Sequence, residues 1–595
     1  VTAAPQRRAV WWSVPAYALL LSLLVAGPLL RPGYVLLRDA VSTPRSYLSD
    51  TALGLTAPPR ATPQDFAVAL ASHLIDGGVV VKTLLVAGLW LAGWGAARLV
   101  ATALPCAGLS GQFVAVTLAI WNPYVAERLL QGHWSLLVGY GCLPWVATAV
   151  LRLRSASTGW FALAFWIALA GLTPTGLMLA ATVGLACAVG PGAGRSRWLC
   201  AAAVLGTALL AALPWLLAAA TGPSLAAPGS AAGVVAFAPR AEPGLGTLGS
   251  LAGLGGIWNS EAVPSSRATL FAAVSTLVFL GVVATGLPTV LRRRAVLPLL
   301  ALAAAAVLLP AALATDSGLH LLAAVVDAAP GLGVLRDGQK WVALAMPGYV
   351  LGGAGAVVTV RRWLPAPADV AAALAGCLAL IAVLPDAAWG VGGKVAAVHY
   401  PSGWAAVAAQ INSAPAPVAV LPAGSMRRFA WSGPVPVLDP LPRWVRAEVL
   451  STGDLAISGR VVPGEGHRAR AIQQLLLSGV DASALAPAGV GWLVVEADTA
   501  GDLGAAARTL HTLTPVYRDE HLTLYRVGGA GAAVSPARRH TVVIAHLVWL
   551  ALLIGSGGGA LIAGVRRRGC RATDTGASRH LNQGDDNAPT DVAAD

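Results

Sequence analysis

Apolar residues fill this chain in long runs, interrupted at short intervals by polar turns. A run of roughly 18 or more apolar residues is long enough to cross a bilayer. In lipid such a run must be helical, because every backbone N–H and C=O has to be satisfied within its own segment. The pattern predicts helices near 10–30, 78–101, 109–127, 134–151, 159–172, 175–190, 198–219, 268–290, 295–314, 341–360, 369–391 and 541–565. The expected fold class is an α-helical integral membrane protein of about twelve transmembrane helices with a C-terminal extracytoplasmic mixed α/β domain. The run 10–30 follows Arg7 and Arg8, and no small-residue cleavage site precedes Arg31. It reads as a retained first helix rather than a signal peptide.

The polar connections divide into two kinds. Arg7/Arg8, Arg152/Arg154, Arg195/Arg197, Arg292–Arg294, Arg361/Arg362 and Arg566–Arg568 fall on one side of the predicted bundle. By the positive-inside rule that side is cytoplasmic, with both termini on it. Arg538/Arg539 are the exception, on the outer side. The outer side carries the longer connections, 31–77, 220–267, 315–340 and 392–540, and a short turn at 128–133. The domains expected are a membrane domain over 1–391, an extracytoplasmic α/β domain over 392–540, a last span over 541–565 and a disordered cytoplasmic tail over 566–595. Within 392–540, Val418–Leu421 and Val490–Val495 read as buried strands and Leu522–Val527 as a half-exposed one. Helices are expected near 401–412, 467–479 and 501–513, and the 220–250 stretch, rich in Gly, Ala, Pro and Ser, reads as mobile.

Composition agrees with lipid as the solvent. The chain has 595 residues, of which 56% are hydrophobic and 11% charged, against about a quarter charged in soluble domains. Its mean hydropathy is +0.69. The formal charge of +13 sits largely in short Arg clusters between apolar runs, so topology explains it and nucleic acid is not an expected partner. None of the six cysteines falls in 395–540, which leaves no disulfide framework and no CxxC metal signature. No nucleotide-binding, HExxH or GxSxG arrangement occurs in a credible context, so nucleotide hydrolysis is not the expected driving force.

Candidate chemistry gathers on the predicted outer face. Asp39 lies just after the first helix emerges, and a carboxylate held near the membrane surface can take a proton from a hydroxyl. Asp50 and Asp65, in the same loop, read as solvated charges. A second group is Asn122-Pro123-Tyr124-Val125-Ala126-Glu127-Arg128 followed by Gln131-Gly132-His133-Trp134. Its polar density in a short turn points to Tyr124, Glu127, Arg128 and His133 as phosphate or sugar contacts; the plainer reading is an interfacial aromatic belt. A third is Leu335-Arg336-Asp337-Gly338-Gln339-Lys340-Trp341, where Arg336 and Lys340 at the entry to a helix suit an anion such as a lipid phosphate. Trp258-Asn259 makes a weak sugar platform, with Asn259 its polar group. Arg427, Arg428, Trp431, Asp439, Arg443 and Trp444 could line a carbohydrate groove, with packing the plainer role for most.

These pieces and their layout resemble the C-type membrane glycosyltransferases, polytopic enzymes that use polyprenyl-phosphate sugars. An Arg-over-Lys bias and richness in Ala, Gly, Pro and Val fit an actinobacterial member. The resemblance implies transfer of a sugar, arabinose or mannose, from a polyprenyl-phosphate donor to an arabinogalactan-type envelope glycan or a lipoglycan at the outer face of a bacterial plasma membrane. It implies Asp39 as the base and Arg336 and Lys340 as phosphate contacts. Many members carry paired acids in the first outer loop. Here Asp39 stands alone beside Arg38, so a divalent metal is allowed but not required, and a non-catalytic envelope-assembly or glycan-binding protein stays open. A flippase or transporter is the third class. The predicted spans hold few ionisable groups near mid-membrane, which counts against ion coupling.

Overall fold

The computed structural model describes residues 3–156, 158–222, 231–363, 368–457 and 459–581. The apolar runs fold as helices: α1 (Ala3–Ala26), α2 (Gly77–Ala103), α3 (Gly108–Ile120), α4 (Pro123–Leu130), α5 (Trp134–Ala156), α6 (Trp160–Ala170), α7 (Pro174–Val189), α8 (Arg197–Thr221), α9 (Phe271–Val290), α10 (Leu297–Leu313), α11 (Met346–Val360), α12 (Ala368–Ala382) and α13 (Pro536–Leu581). Among the described residues, eight helical segments are long and apolar enough to cross a membrane. The number is nine if Ala368–Ala382 and Pro385–Gly392, bent by 74°, form one span.

This is fewer than the twelve expected, for local reasons. α3, α6 and α7 have 13, 11 and 16 residues, short of the roughly 20 that cross a bilayer unaided. α3 stops at Trp121 because Asn122 caps a new helix, its side chain accepting from the Val125 N–H, with Pro123 at the first helical position. α7 starts the same way, with Thr173 capping and Pro174 following. α4, read from sequence as part of a span and an exposed turn, is buried over its whole length.

The segments differ in what surrounds them. Trp134–Ala156 and Gly338–Val360 are 89% and 94% buried within the protein, whereas Pro536–Arg566 is 11% buried. The first two form the centre of the bundle, and the last presents its apolar surface outward, as a lipid-facing helix does. α9 and α11 cross with their backbones touching: a Cβ on Gly286 would overlap the Gly352 carbonyl. α13 continues as helix to Leu581, so 566–581 is not the irregular tail expected. Residues 582–595 of that tail and 223–230 of the stretch expected to be mobile lie outside the described residues.

The strands build a separate layer at one end of the bundle. β1 (Tyr34–Leu37) and β2 (Ala40–Val41) form a hairpin, and β3 (Ala397–Val398) pairs antiparallel with β1. A four-stranded sheet runs in the order β10 (Pro515–Arg518), β11 (Leu522–Arg526), β9 (Trp492–Glu496), β4 (Val418–Leu421), with β4 and β9 parallel. Strands β4, β9 and β11 coincide with those expected from sequence. Two small hairpins, β5 (Met426–Arg427) with β6 (Val437–Leu438) and β7 (Leu455–Ile457) with β8 (Arg460–Val462), complete the layer. Leu36 and Val41 of the first hairpin share one core with Trp404, Phe429 and Trp444. The segment 31–77 is therefore not a free loop: its hairpin belongs to the sheet layer, and Leu53, Leu55, Phe66 and Val68 pack into the core of the bundle.

Candidate active site

Asp39 sits at the tip of the β1–β2 hairpin, where Leu37 pairs with Ala40 across a two-residue turn. Such turns require positive φ, normally supplied by Gly or Asn. Here Arg38 supplies it, at φ +48°. Its surroundings hold it there. The Arg38 N–H donates to Pro436 O at 2.9 Å and its C=O accepts from the Leu438 N–H at 2.9 Å. Its guanidinium donates to Leu130 O at 2.5 Å and Glu261 O at 2.9 Å. A residue held in a sparsely populated conformation by four hydrogen bonds fixes its neighbour, and that neighbour is Asp39.

The opposite wall is the turn after α4. Gly132, at φ +83°, lies directly against the hairpin: a Cβ there would overlap the Ala40 N–H and the Leu37 carbonyl. This contact lets the Asp39 N–H donate to Gln131 O at 3.2 Å. It also brings Asp39 Oδ2 to 2.8 Å from His133 Nε2 and 3.2 Å from Gln131 Nε2. Asn259 Nδ2 donates to Gln131 Oε1 at 2.8 Å, so Asn259 supports the glutamine that supports Asp39.

The third wall is the 335–341 segment. Asp337 takes a bidentate pair from Arg128, Nη1 to Oδ2 at 2.8 Å and Nη2 to Oδ1 at 2.9 Å. Arg128 also donates to Gln339 Oε1, and Gln339 Nε2 donates to Glu127 Oε2 at 3.0 Å. Glu127 accepts further from the N–H groups of Gly256 and Ile257 at 3.3 and 3.1 Å. Tyr124 donates to Lys340 O at 3.2 Å, and its ring lies 5.6 Å from the Arg128 guanidinium carbon. Lys340 Nζ is 3.7 Å from Asp337 Oδ2. The two polar turns, far apart in sequence, meet through a direct ion pair and hydrogen bonds rather than across an open space.

The electrostatics separate the roles. Burial alone would raise the Asp39 carboxyl, but the hydrogen bonds from His133 and Gln131 and the charge of Lys340 outweigh it and hold Asp39 below its ordinary value. Asp39 is therefore ionised at neutral pH. Burial, with the charges of Lys340 and Arg128, pulls His133 below its ordinary value despite Asp39. Its Nδ1 lies 3.1 Å from Arg128 Nη1, a group that can only donate. Nδ1 is then the acceptor, and the neutral ring carries its proton on Nε2, directed at Asp39. Burial opposes the charge on Asp337, yet Arg128 and Lys340 keep it well below the carboxylate range. Burial and the nearby Glu242 carboxylate push Glu127 well above that range, against the pull of Arg267, the Ile257 N–H and Arg128.

Of the residues singled out from sequence, Asp39, His133, Glu127, Arg128, Tyr124, Lys340 and Asn259 thus converge. They do so in two layers. Glu127, Arg128 and Tyr124 are completely buried, with the Glu127 carboxylate, both Arg128 Nη atoms and the Tyr124 hydroxyl bonded to protein partners. The side chains of Asp39, Lys340 and His133 are 37%, 25% and 16% exposed and make the accessible face. Arg336 stands apart from this network. Its Nε donates to Gly333 O at 3.0 Å, and its guanidinium lies over Phe237 on the wall of an apolar cavity of about 280 Å³. Gly338, Trp341 and Leu344 line the same cavity. They lie on the 3₁₀ helix Gly338–Ala345, whose side chains align every third residue. One face of this short helix serves the cavity while Gln339 and Lys340 serve the network.

Sequence reasoning did not nominate Asp337, Gln339 or Gln131, although each stood inside a quoted motif. The readable signal was a carboxylate three residues from a lysine, at the entry to an otherwise apolar segment. The buried Arg267–Glu242 pair was also missed. In the sheet layer, Trp404, Trp431 and Trp444 pack with Tyr400 and Phe429, and Arg427 is buried against Glu496. Packing is thus their role, and no carbohydrate groove is formed by Arg427 or Trp444. Among the described residues no group of three or more His, Cys, Asp or Glu is arranged to hold a metal ion. Asp39 and His133 bond to each other beside Lys340, so the metal that the resemblance allows has no donor set here.

No family model matches this chain, and no curated protein matches it. Among solved structures it is similar to the arabinofuranosyltransferase AftD from Mycobacteria, with a TM-score of 0.58 and 18% identity over 88% of this chain and 40% of that one. Two structural classes of a point variant of that enzyme align with TM-scores of 0.55 and 0.53. At this identity the likeness is one of fold. It is the membrane fold that the sequence resemblance to the C-type glycosyltransferases anticipated. The chain spans less than half the length of that enzyme.

Proposed function

We propose that this protein is a membrane glycosyltransferase. It moves a sugar from a polyprenyl-phosphate donor to a cell-envelope glycan on the outer face of a bacterial plasma membrane. The observation that carries the reading is an ionised, accessible Asp39 with the cation Lys340 on the same accessible face, while Arg336 of the same 335–341 segment lines an apolar cavity. A donor of this class needs these three things: a base, a counter-charge for phosphate and an apolar bed for its tail. Of the candidate sugars, the likeness to an arabinofuranosyltransferase favours arabinose over mannose.

In the proposed reaction the acceptor hydroxyl gives its proton to Asp39 as its oxygen attacks the anomeric carbon. The bond from that carbon to the phosphate oxygen breaks, and the lipid phosphate leaves with the electron pair. The new bond forms on the face opposite the old one, so the configuration inverts. Lys340 and Arg336 oppose the charge that grows on the phosphate. His133, neutral and donating, keeps Asp39 ionised and aimed. Glu127, Arg128 and Tyr124 hold the 335–341 segment in place without touching substrate.

Asp39→Asn keeps the shape and removes the proton acceptor. General-base catalysis is worth about a hundred- to ten-thousand-fold in rate. Membranes containing the variant at normal abundance are expected to lose sugar transfer from a polyprenyl-phosphate donor by that factor. A deletion strain is expected to carry a shortened or missing glycan. Full restoration of the glycan by Asp39→Asn would remove the base assignment and favour a non-catalytic assembly role.

A further inference from the structure

The side chain of Asn259 is committed to protein at both ends of its amide. Its Oδ1 accepts from the Glu261 N–H at 3.1 Å and so caps the 3₁₀ turn Ser260–Ala262. Its Nδ2 donates to Gln131 Oε1 at 2.8 Å. Gln131 is buried and engaged in the same way, its Nε2 donating to Asp39 Oδ2 at 3.2 Å. Glu261 holds the hairpin a second time, because its carbonyl accepts from Arg38 Nη2 at 2.9 Å. One short turn therefore reaches both Asp39 and the residue before it.

A side-chain amide can point either way, since its oxygen accepts and its nitrogen donates. Here both ends of the chain of amides are fixed. A backbone N–H only donates, and an ionised carboxylate only accepts. Two amides placed between such ends have one orientation that satisfies every bond. Turning either of them sets oxygen against oxygen and nitrogen against nitrogen. The Glu261 N–H thus dictates, through Asn259 and Gln131, that a hydrogen rather than an oxygen meets Asp39. Hydrogen bonds linked in this sense polarise one another, which strengthens the last of them.

We propose that Asn259 is a positioning residue for Asp39: it locks the direction of the Gln131 amide, so that the carboxylate is always met by a donor on that side. This rests on Asp39 as the base proposed above and adds the residue that sets how it is held. Asn259 touches no substrate in this role. The ionisable groups facing Asp39 are His133 at the entry to α5, Lys340 of the 335–341 segment and Arg38 beside it in the hairpin. The Glu261 carboxylate lies 3.8 Å from Arg38. Among the described residues none of these side chains bonds to the Asn259 side chain, so a change at Asn259 reaches Asp39 through Gln131.

The test is Asn259→Ser in the full chain. Serine caps a turn as asparagine does and adds no charge, but it is too short to reach Gln131. The acid limb of the pH–rate profile is expected to move up by about one pH unit, or about tenfold slower transfer below the limb, the scale of one hydrogen bond to a charged group. The melting temperature in detergent is expected to hold. Protonation of Asp39 is read independently from the infrared carboxyl band that Asp39→Asn abolishes, and this band is expected to shift with the limb. In a Gln131→Met background Asn259→Ser is expected to move neither any further. An unmoved limb and band in Asn259→Ser, at any level of activity, overturns the proposal and leaves Asn259 a turn cap. A shift that persists in full in the Gln131→Met background overturns the path through Gln131. If Asn259→Ser does not fold, Asn259→Asp carries the test, since it keeps shape and cap but loses the donor. Its shift is expected to be smaller in the Gln131→Met background, where only the added charge acts, and equal shifts in both backgrounds overturn the proposal. Absence of transfer by the wild-type protein removes the reaction proposed above, and the carboxyl band then decides the role of Asn259 alone.

Discussion

Oδ2 of Asp39 lies 2.8 Å from Nε2 of His133, and the imidazole reaches it as a neutral donor because Arg128 occupies the other ring nitrogen. The bond joins a residue before the second predicted span to one at the entry of α5. It sets the ionisation of the proposed base. A carboxyl whose folded pKa is depressed contributes stability that is present above its unfolded value and lost as pH falls through the folded one. Wild-type transfer is thus expected to persist down to below the ordinary carboxylate value of about 4. His133→Ala removes the largest influence opposing burial, so the pKa of Asp39 rises and the acid limb of the pH–rate profile moves to higher pH. Superimposable acid limbs would show that the pair does not govern the base.

The bidentate Arg128–Asp337 pair is buried on both sides. Removing one partner strands the other charge in a low-dielectric interior, at a cost of about 3–5 kcal/mol. Arg128→Ala is expected to lower the melting temperature in detergent sharply and to reduce abundance. Asp337→Leu combined with Arg128→Met, which removes both charges, is expected to recover most of that stability. A double variant no more stable than Arg128→Ala would contradict the charge-stranding account.

Gly132→Ala tests the contact between the hairpin and the turn. The methyl group would overlap the backbone at Leu37 and Ala40, and the residue would still have to adopt positive φ. The hairpin has to move back, which lengthens the Asp39–His133 bond. Transfer is expected to fall at least tenfold, as misplacement of a catalytic group by about 1 Å can cost a hundredfold. Activity within twofold of wild type would mean that the hairpin tip does not need this seat.

The proposed topology predicts opposite compartments for two fusions. A reporter after Pro536 is expected to read as extracytoplasmic and one after Arg568 as cytoplasmic. Both follow from the Arg clusters and from the apolar Pro536–Arg566 segment between them. The same compartment for both would remove the last span.

The parts of this architecture that depend on composition over a window were legible in the sequence. The long apolar helices and the strands Val418–Leu421, Trp492–Glu496 and Leu522–Arg526 are of this kind. Windows ran helices together where a cap residue and a proline restart a helix after a short run, as at Asn122-Pro123 and Thr173-Pro174. Polar residues crowded into turns pointed to the region where these side chains converge. Their division into buried supports and an accessible face was not legible, because it depends on partners far away in sequence. Arg128 looks like a phosphate contact until Asp337 is known to hold it. The place of the 34–41 hairpin in the sheet layer was hidden for the same reason: no local pattern tells Tyr34 that its partner is Val398.

That last pairing bears on how the protein is made. A ribosome delivers Asp39 to the membrane early, yet Val35 waits for Ala397, and Arg38 waits for Pro436 and Leu438. The spans between can insert one after another while the hairpin remains unheld. A nascent chain halted at residue 390 would contain the proposed base, the histidine and the cations, all threaded into the membrane, and still lack the strand and loop that hold Asp39 in position. On the proposed function, competence for transfer arrives late in synthesis, when the C-terminal third folds back onto the N-terminal hairpin, and an unfinished chain would not act on the lipids around it.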